Sequence, residues 1–207
     1  MKGGAMKIRF VPLLGIAISF LLGSNMSQAA EEPSFEVLEQ WDEVEIREYA
    51  PTIRAVTDLS SNGETTGGFR RLADYIFGGN SKGMSIAMTA PVEETLGGDR
   101  PVMAFTLPAE YAMDALPEPN SGSVRLEALE ARTVAVSSFS GWATSGRVTR
   151  EENALRKALA SRGIVVTGEA SLNQYNPPWT PPFMRRNEVM VPVAFDENSS
   201  ESRKRQQ

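Results

Sequence analysis

The sequence of 207 residues contains no histidine and no cysteine. Without histidine, the chain can form neither a Ser-His-Asp triad nor a Cys-His nucleophile pair. The two absences together exclude an HExxH motif and a Cys/His zinc site. Disulfides, CxxC redox motifs and thiolate metal ligands are excluded as well. Any chemistry must therefore come from carboxylates, Lys, Tyr, Ser/Thr, Met or a borrowed cofactor.

The remaining composition is that of an ordinary globular protein. Hydrophobic residues make up 41% of the chain and charged residues 23%. A chain of this length forms one domain or two small ones and is long enough to bury a core.

The first 29 residues differ from the rest. Lys2, Lys7 and Arg9 precede an apolar run at residues 10–22, and small residues at Ser27 and Ala29 resemble a cleavage site. This order is typical of a secretory signal peptide, and the apolar run is shorter than the ~20 residues of a membrane span. We therefore predict that residues 1–29 are a signal peptide and that the protein is periplasmic or secreted. The alternative is an N-terminal anchor that is not cleaved.

Removal of this segment makes the chain more acidic. The basic residues fall from 21 to 18 while the acidic residues stay at 26, which leaves a net charge of −8. Such a chain offers little of the clustered basic surface that binds nucleic acid, so we expect no nucleic-acid partner. Residues 196–207 are polar and lack periodicity, which predicts a disordered tail and leaves 30–195 as a single domain.

Strand and helix patterns alternate along this domain. Period-two alternation predicts strands at 35–38, 44–47 and 53–59, the first two as a hairpin, and again at 84–88, ended by Pro91, and 103–107. Between them, Phe69, Leu72, Ala73 and Ile76 form one apolar face of a helix that stops at Gly78-Gly79.

The second half repeats this order. Strands are predicted at 124–129 and 133–139, then a helix marked by Val148, Leu155 and Leu159, then strands at 164–167, 172–175 and 188–193. Each half thus reads as strands, a helix and strands, without close identity between the halves. The fold class predicted from this pattern is α+β, an antiparallel sheet, curved or closed, with two helices packed on it.

Two features invite a binding interpretation. Met84, Met88 and Met103 lie on predicted strands, where methionine either fills the core or lines a soft apolar pocket. Residues 175–189 hold four prolines in six residues, with Trp179 and Phe183 among and after them and Arg185-Arg186 following. This loop is either a plug that covers the core, with an arginine paired to an acid such as Glu188, or a pocket rim that binds carboxylates.

Several blocks in this order resemble the SOUL haem-binding proteins. They are VEIREY at 44–49, YIFGGN at 75–80, IAMTAPV at 86–92, FTLP at 105–108 and RRNEV at 185–189. The resemblance spans about residues 35 to 193. It implies a twisted antiparallel β-barrel of two similar strand-helix-strand halves flanked by two α-helices, and a non-enzymatic protein that binds haem or a related tetrapyrrole.

The resemblance also implies where the ligand binds, in a shallow apolar groove on the first helix and near the proline-rich loop. Asp74 and Thr180 stand where other members have lysines, which weakens the expected propionate clamp. The candidate cofactor-binding residues are Phe69, Arg70, Leu72, Ala73, Ile76, Met88, Trp179, Phe183 and Arg185.

Two functional hypotheses follow. The first is a monomeric carrier or buffer of haem or another porphyrin, without a strong protein axial ligand, because histidine and cysteine are missing. The second is a binding module for another amphipathic ligand, with a cation favoured by the acidic charge, or for a protein partner. No catalytic or metal-ligating constellation is found in the sequence, so we do not expect an enzyme.

Overall fold

The computed structural model describes residues 30–60, 64–98 and 100–196. Two helices are present in this part of the chain, α1 at Thr65–Ile76 and α2 at Ser145–Ser161. The strands are β1 Phe35–Trp41, β2 Val44–Tyr49, β3 Thr52–Asp58, β4 Val92–Leu96, β5 Val102–Thr106, β6 Val124–Leu129, β7 Arg132–Phe139, β8 Val165–Val166, β9 Ala170–Gln174 and β10 Asn187–Ala194.

The strands form one curled antiparallel sheet in the order β1-β2-β7-β10-β9-β4-β5-β3-β6, and β8 pairs with the end of β10. The order is palindromic once β1 is set aside. In the first half β3, α1, β4 and β5 follow one another, and in the second half β7, α2, β9 and β10 come in the same order, with the two-residue β8 between α2 and β9. The halves meet where β4 pairs with β9. The strand that precedes each half pairs with the other half, since β2 pairs with β7 and β6 pairs with β3. The expected pair of similar halves is thus present in the topology.

Each helix packs on the strands of its own half. Leu72, Tyr75 and Ile76 of α1 are buried with Met103 and Phe105 of β5. Leu155 and Leu159 of α2 are buried in a second cluster with residues of β7 and β10. The apolar faces predicted from the 3.6-residue period therefore form the two main cores.

The sheet face turned away from the helices is partly polar. Its most buried ion pair in the described ranges joins Arg47 and Glu188, and the carboxylate of Glu188 also accepts hydrogen bonds from Tyr175 at 2.6 Å and Ser138 at 3.2 Å. Glu188 thus pairs with Arg47 of β2 and not with an arginine of the proline-rich loop. An arginine of that loop does pair with an acid, since Arg186 contacts Glu32.

The strand predicted at 84–88 is wrong, because the backbone of this segment bonds to other partners. The side chain of Asn80 donates to the Met84 carbonyl and accepts the Met84 N–H, while the Ile86 N–H donates to the Ile76 carbonyl. The alternation arises because the segment crosses the edge of the core, where Ile86 is buried. The strand β4 follows it. The other predicted strands and both helices are confirmed in position.

Two predictions fall outside the described residues. The signal peptide at residues 1–29 lies there entirely, as does all of the predicted tail except Asp196. No helix within the described ranges has the length and apolar character needed to cross a membrane.

Candidate functional site

The outer face of α1 carries an apolar stripe. Phe69 and Ala73 lie one turn apart on α1, and Phe77, the residue that caps the helix, follows four residues after Ala73. Phe69 is 40% exposed and Phe77 is 65% exposed, although both are large aromatic residues. The apolar face predicted from the sequence ends at Ile76 and does not include Phe77, although Phe77 continues the same spacing by one residue.

A turn at the end of α1 fixes the neighbouring chain. Gly78 has a φ of 110°, and the Gly79 N–H donates to the Asp74 carbonyl at 2.8 Å. Phe77 and Ser85 form an isolated antiparallel bridge, which holds residues 84–88 beside the helix end. Met88, 37% exposed, lies three residues beyond Ser85 on this segment and offers a flexible apolar side chain to solvent.

The two arginines of α1 have different environments. Arg71 is tied to the end of β3 and to Glu64, with hydrogen bonds to Thr57 Oγ1 at 2.8 Å and to Glu64 Oε1 at 2.9 Å. Arg70 is exposed, and none of the ion pairs found among the described residues includes it. Arg70 is thus the guanidinium on this helix that is placed to meet an incoming anion.

Two of the predicted contact residues lie below the surface. Leu72 is fully buried and Ile76 is 1% exposed, both within the α1 core. They hold the helix on the sheet. A ligand on the outer face of α1 would meet Phe69 and Ala73 but not Leu72 or Ile76.

The proline-rich loop lies in the other half of the molecule. It joins β9 to β10 and packs beside the start of α2, where the Gly141 N–H donates to the Pro182 carbonyl at 2.8 Å. The guanidinium of Arg185 lies over the Trp142 ring, 4.0 Å from its centre. Trp179 and Phe183 are 83% and 79% exposed, so neither covers the core as the plug interpretation required. Phe69, Arg70, Leu72, Ala73 and Ile76 thus belong to α1, whereas Trp179, Phe183 and Arg185 belong to the loop that packs beside the start of α2.

A groove of about 540 Å³ runs between the two helices. Its floor is formed by β4 and β9, where Glu94 and Leu172 are direct partners. Thr65 at the start of α1 and Val148 of α2 line its sides. The acidic residues that border it are Glu94, Glu152 and Glu169.

Three tyrosines of the described chain are engaged in hydrogen bonds. Tyr75 donates to the Pro117 carbonyl at 3.0 Å, Tyr175 donates to Glu188, and Tyr49 accepts from Arg47. Burial raises the pKa of Tyr49, Tyr75 and Tyr175, which disfavours the tyrosinate that would ligate iron. No group of three or more acidic residues in the described ranges is arranged to hold a metal ion.

Comparison with known proteins identifies relatives over the whole domain. A family profile described as "SOUL heme-binding protein" matches residues 30–192. The chain is 30% identical over 197 residues to heme-binding protein 2 of Mus musculus, covering 87% of this chain and 92% of that protein. It is also 30% identical over 128 residues to heme-binding protein 1 of Bos taurus, covering 58% of this chain and 66% of that protein.

Solved structures share the fold at low identity. The C-terminal domain of EcmrR superposes with a TM-score of 0.56 at 13% identity, covering 74% of this chain and 98% of that one. A hydrolase from Listeria innocua superposes with a TM-score of 0.56 at 12% identity, covering 73% of this chain and 92% of that one. At these identities the likeness concerns the architecture alone.

Proposed function

Because the chain belongs to the SOUL heme-binding protein family, we propose that it is a non-enzymatic protein that binds haem or a related tetrapyrrole on the outer face of α1. The observation that supports this proposal is the exposure of two aromatic side chains, Phe69 on α1 and Phe77 at its end, on either side of half-buried Ala73. Aromatic and methionine side chains on a fixed surface suit a flat apolar macrocycle, and a nearby guanidinium suits its carboxylates.

In this arrangement each exposed residue has a separate role. Phe69 and Phe77 contact the macrocycle from the helix, and Met88 contacts it from the adjoining segment. Arg70, one residue along from Phe69, pairs with a propionate. Leu72 and Ile76 act indirectly, by holding the helix on the sheet.

We expect the haem iron to have no strong ligand from this protein. The sequence has no histidine or cysteine, and the raised pKa of Tyr49, Tyr75 and Tyr175 keeps these side chains in their neutral form. Binding then depends on contact with the macrocycle, which favours an exchangeable ligand. We infer a role in haem carriage or buffering by a monomer in the periplasm or outside the cell, more than in redox chemistry.

The test is a haemin titration followed by absorption spectroscopy. Phe69→Glu places a charge in the macrocycle contact, and Arg70→Ala removes the propionate partner. Each is expected to weaken binding at least about tenfold, since a buried aromatic contact or a charge-assisted hydrogen bond is worth ~1.5–3 kcal/mol. Trp179→Ala with Phe183→Ala tests the other predicted group, around Arg185, and is expected to leave haemin affinity unchanged.

The groove between the helices supports a second candidate, the binding of an amphipathic organic cation. Its lining combines apolar Leu172 and Val148 with the carboxylates of Glu94 and Glu169, while Glu152 is paired with Arg156 at 2.8 Å. Glu94 is largely buried on the floor, so a charge pair made there is screened less by salt than one at the surface. A lipophilic cation gains both apolar contact and charge pairing in such a groove.

The two candidates are separable by substitution. If the groove between the helices binds a cation, Glu94→Gln abolishes the thermal stabilisation that a cationic dye such as rhodamine 6G gives to the protein. The same substitution leaves haemin binding intact. Glu48→Gln removes the same charge from an exposed position on β2 and serves as the control. Equal dye stabilisation in both variants would reject the cation site.

A further inference from the structure

We propose that the tip of the β9–β10 loop inserts into the interfacial region of a lipid bilayer, so that the protein docks on membranes through its second half. The tip consists of residues 177–184 and Trp142 beside them. This inference goes beyond the proposed haem site and is independent of it, because that site lies on α1 in the first half.

The tip exposes an unusual amount of apolar surface. Trp142 and Met184 are 58% and 62% exposed, and Trp179 and Phe183 are exposed still more. Trp179, Phe183 and Met184 belong to the loop and Trp142 precedes α2, and none of the four lines the groove between the helices. Large apolar side chains gathered at one exposed site mark an interaction surface.

Many backbone polar groups of the tip do not depend on water for a hydrogen bond. Prolines supply four of its residues and carry no N–H group. The N–H groups of Thr180 and Met184 donate within the loop. Hydrogen bonds are accepted by the carbonyl oxygens of Pro177, Pro178, Thr180, Pro181 and Pro182. Each such internal hydrogen bond lowers the cost of moving the loop out of water, because lipid tails cannot replace the hydrogen bonds of water.

Arg185 organises the base of the tip. Its Nε donates to the Thr180 carbonyl at 2.9 Å, its Nη2 donates to the Pro178 carbonyl, and its guanidinium lies over Trp142. Next to it, Arg186 lies over the Tyr175 ring and pairs with Glu32. Two guanidinium groups below an aromatic tip match the order of a membrane interface, where cations and the polar edges of aromatic rings sit at the level of the headgroups.

The chemistry also indicates which lipids matter. The two arginines are engaged with carbonyls and with Glu32, and the chain as a whole is acidic. Attraction to anionic lipid is therefore a minor contribution, and docking should occur on zwitterionic phosphatidylcholine and depend weakly on salt.

The test uses the full chain with Trp179 as its only tryptophan, made by Trp41→Phe and Trp142→Phe. Vesicles of brominated phosphatidylcholine quench tryptophans that enter the bilayer, so the readout is local to the loop. The control is a chain that keeps only Trp41, a residue of β1 whose ring lies under the guanidinium of Arg162. We expect the fluorescence of Trp179 in the first chain to be quenched at least about twofold more strongly than that of Trp41 in the control. Equal quenching of the two chains, or none, would overturn the proposal.

A second comparison guards against an unrelated effect of the tryptophan substitutions. Phe183→Ser with Met184→Ser is expected to reduce the quenching of Trp179 by at least about fivefold, because two apolar contacts with the bilayer are lost. Val165→Ser removes an apolar side chain of similar exposure from β8, and it should leave the quenching of Trp179 unchanged. If both variants are quenched like the parent chain, the loop is not a membrane anchor.

Discussion

The ring of Phe69 meets the ring of Phe105 at 65°, with centroids 5.2 Å apart. Phe105 is buried on β5, while Phe69 is partly exposed on α1. An edge-to-face pair of this kind contributes about 0.5–1.5 kcal/mol beyond the burial of its surface. A core residue thus fixes the orientation of a candidate ligand contact before any ligand arrives.

This relationship can be tested without touching the exposed face. Phe105→Leu keeps most of the core volume but removes the aromatic partner, so we expect about 1 kcal/mol less stability and a several-fold weaker affinity for haemin. Phe139→Leu makes the same change in the α2 core, and it should lower stability without altering haemin affinity. Urea unfolding and haemin titration measure the two quantities, and equal haemin affinities for both variants would contradict the role of Phe105.

The Arg47–Glu188 pair should be among the most sensitive positions for stability. Both side chains are more than nine-tenths buried, and the Arg47 Nη1 to Glu188 Oε2 distance is 3.1 Å. Arg47→Met leaves the carboxylate buried without its cation, which is expected to cost ~3–5 kcal/mol in urea unfolding. Asp58→Asn breaks the exposed pair with Arg125 and should cost less than about 1 kcal/mol. Similar losses in the two variants would show that burial does not set the energy of these pairs.

A side chain at position 79 would collide with Asp74, so this position requires glycine. A Cβ at this position would lie 2.3 Å from Asp74 Oδ2 and 2.7 Å from the Asp74 carbonyl oxygen. Gly79→Ala should therefore destabilise the protein by about 1–3 kcal/mol and weaken haemin binding by displacing Phe77. At Gly122 an added Cβ meets nothing within 4 Å, so Gly122→Ala should change neither property. A neutral Gly79→Ala variant would reject the tight turn after α1.

Glu64 should give the protein an acid-sensitive contribution to stability. Hydrogen bonds from the Ser60 N–H and from Arg71 lower the pKa of Glu64 from 4.5 to about 2. Because the pKa is lower in the folded state, this stabilisation is present above about pH 4.5 and is lost as the pH falls toward 2. The Tm of the wild type should approach that of Glu64→Gln over this range. A constant difference in Tm between the two proteins from about pH 6 to about pH 2.5 would contradict the lowered pKa.

Periodicity in the sequence predicts most of this fold, because strands and helices with one buried face must alternate in a recognisable way. The placement of Leu72 and Ile76 on the apolar face of α1 is confirmed. The strand at 84–88 is wrong because alternation there reflects an irregular segment at the core edge, held by the side chain of Asn80. Strand β4 is not predicted because Glu93 and Glu94 interrupt any apolar alternation.

The site is harder to predict than the fold. The sequence identifies Phe69 and Arg70, but only the tertiary structure separates exposed Phe69 from buried Leu72 on the same apolar face. The tertiary structure also shows that Arg71 donates hydrogen bonds to Glu64 and Thr57, which no local sequence pattern indicates. The position of the proline-rich loop beside the start of α2 depends on tertiary contacts such as the hydrogen bond from the Gly141 N–H to the Pro182 carbonyl, which sequence spacing does not contain.

The most direct test of the account is the absorption spectrum of the purified protein during titration with haemin, compared with Phe69→Glu and Arg70→Ala. The account predicts a saturable change in the Soret band, without the spectral signature of histidine ligation, and weaker binding in both variants. A spectrum identical to that of free haemin, or equal affinities in all three proteins, would contradict haem binding on the outer face of α1.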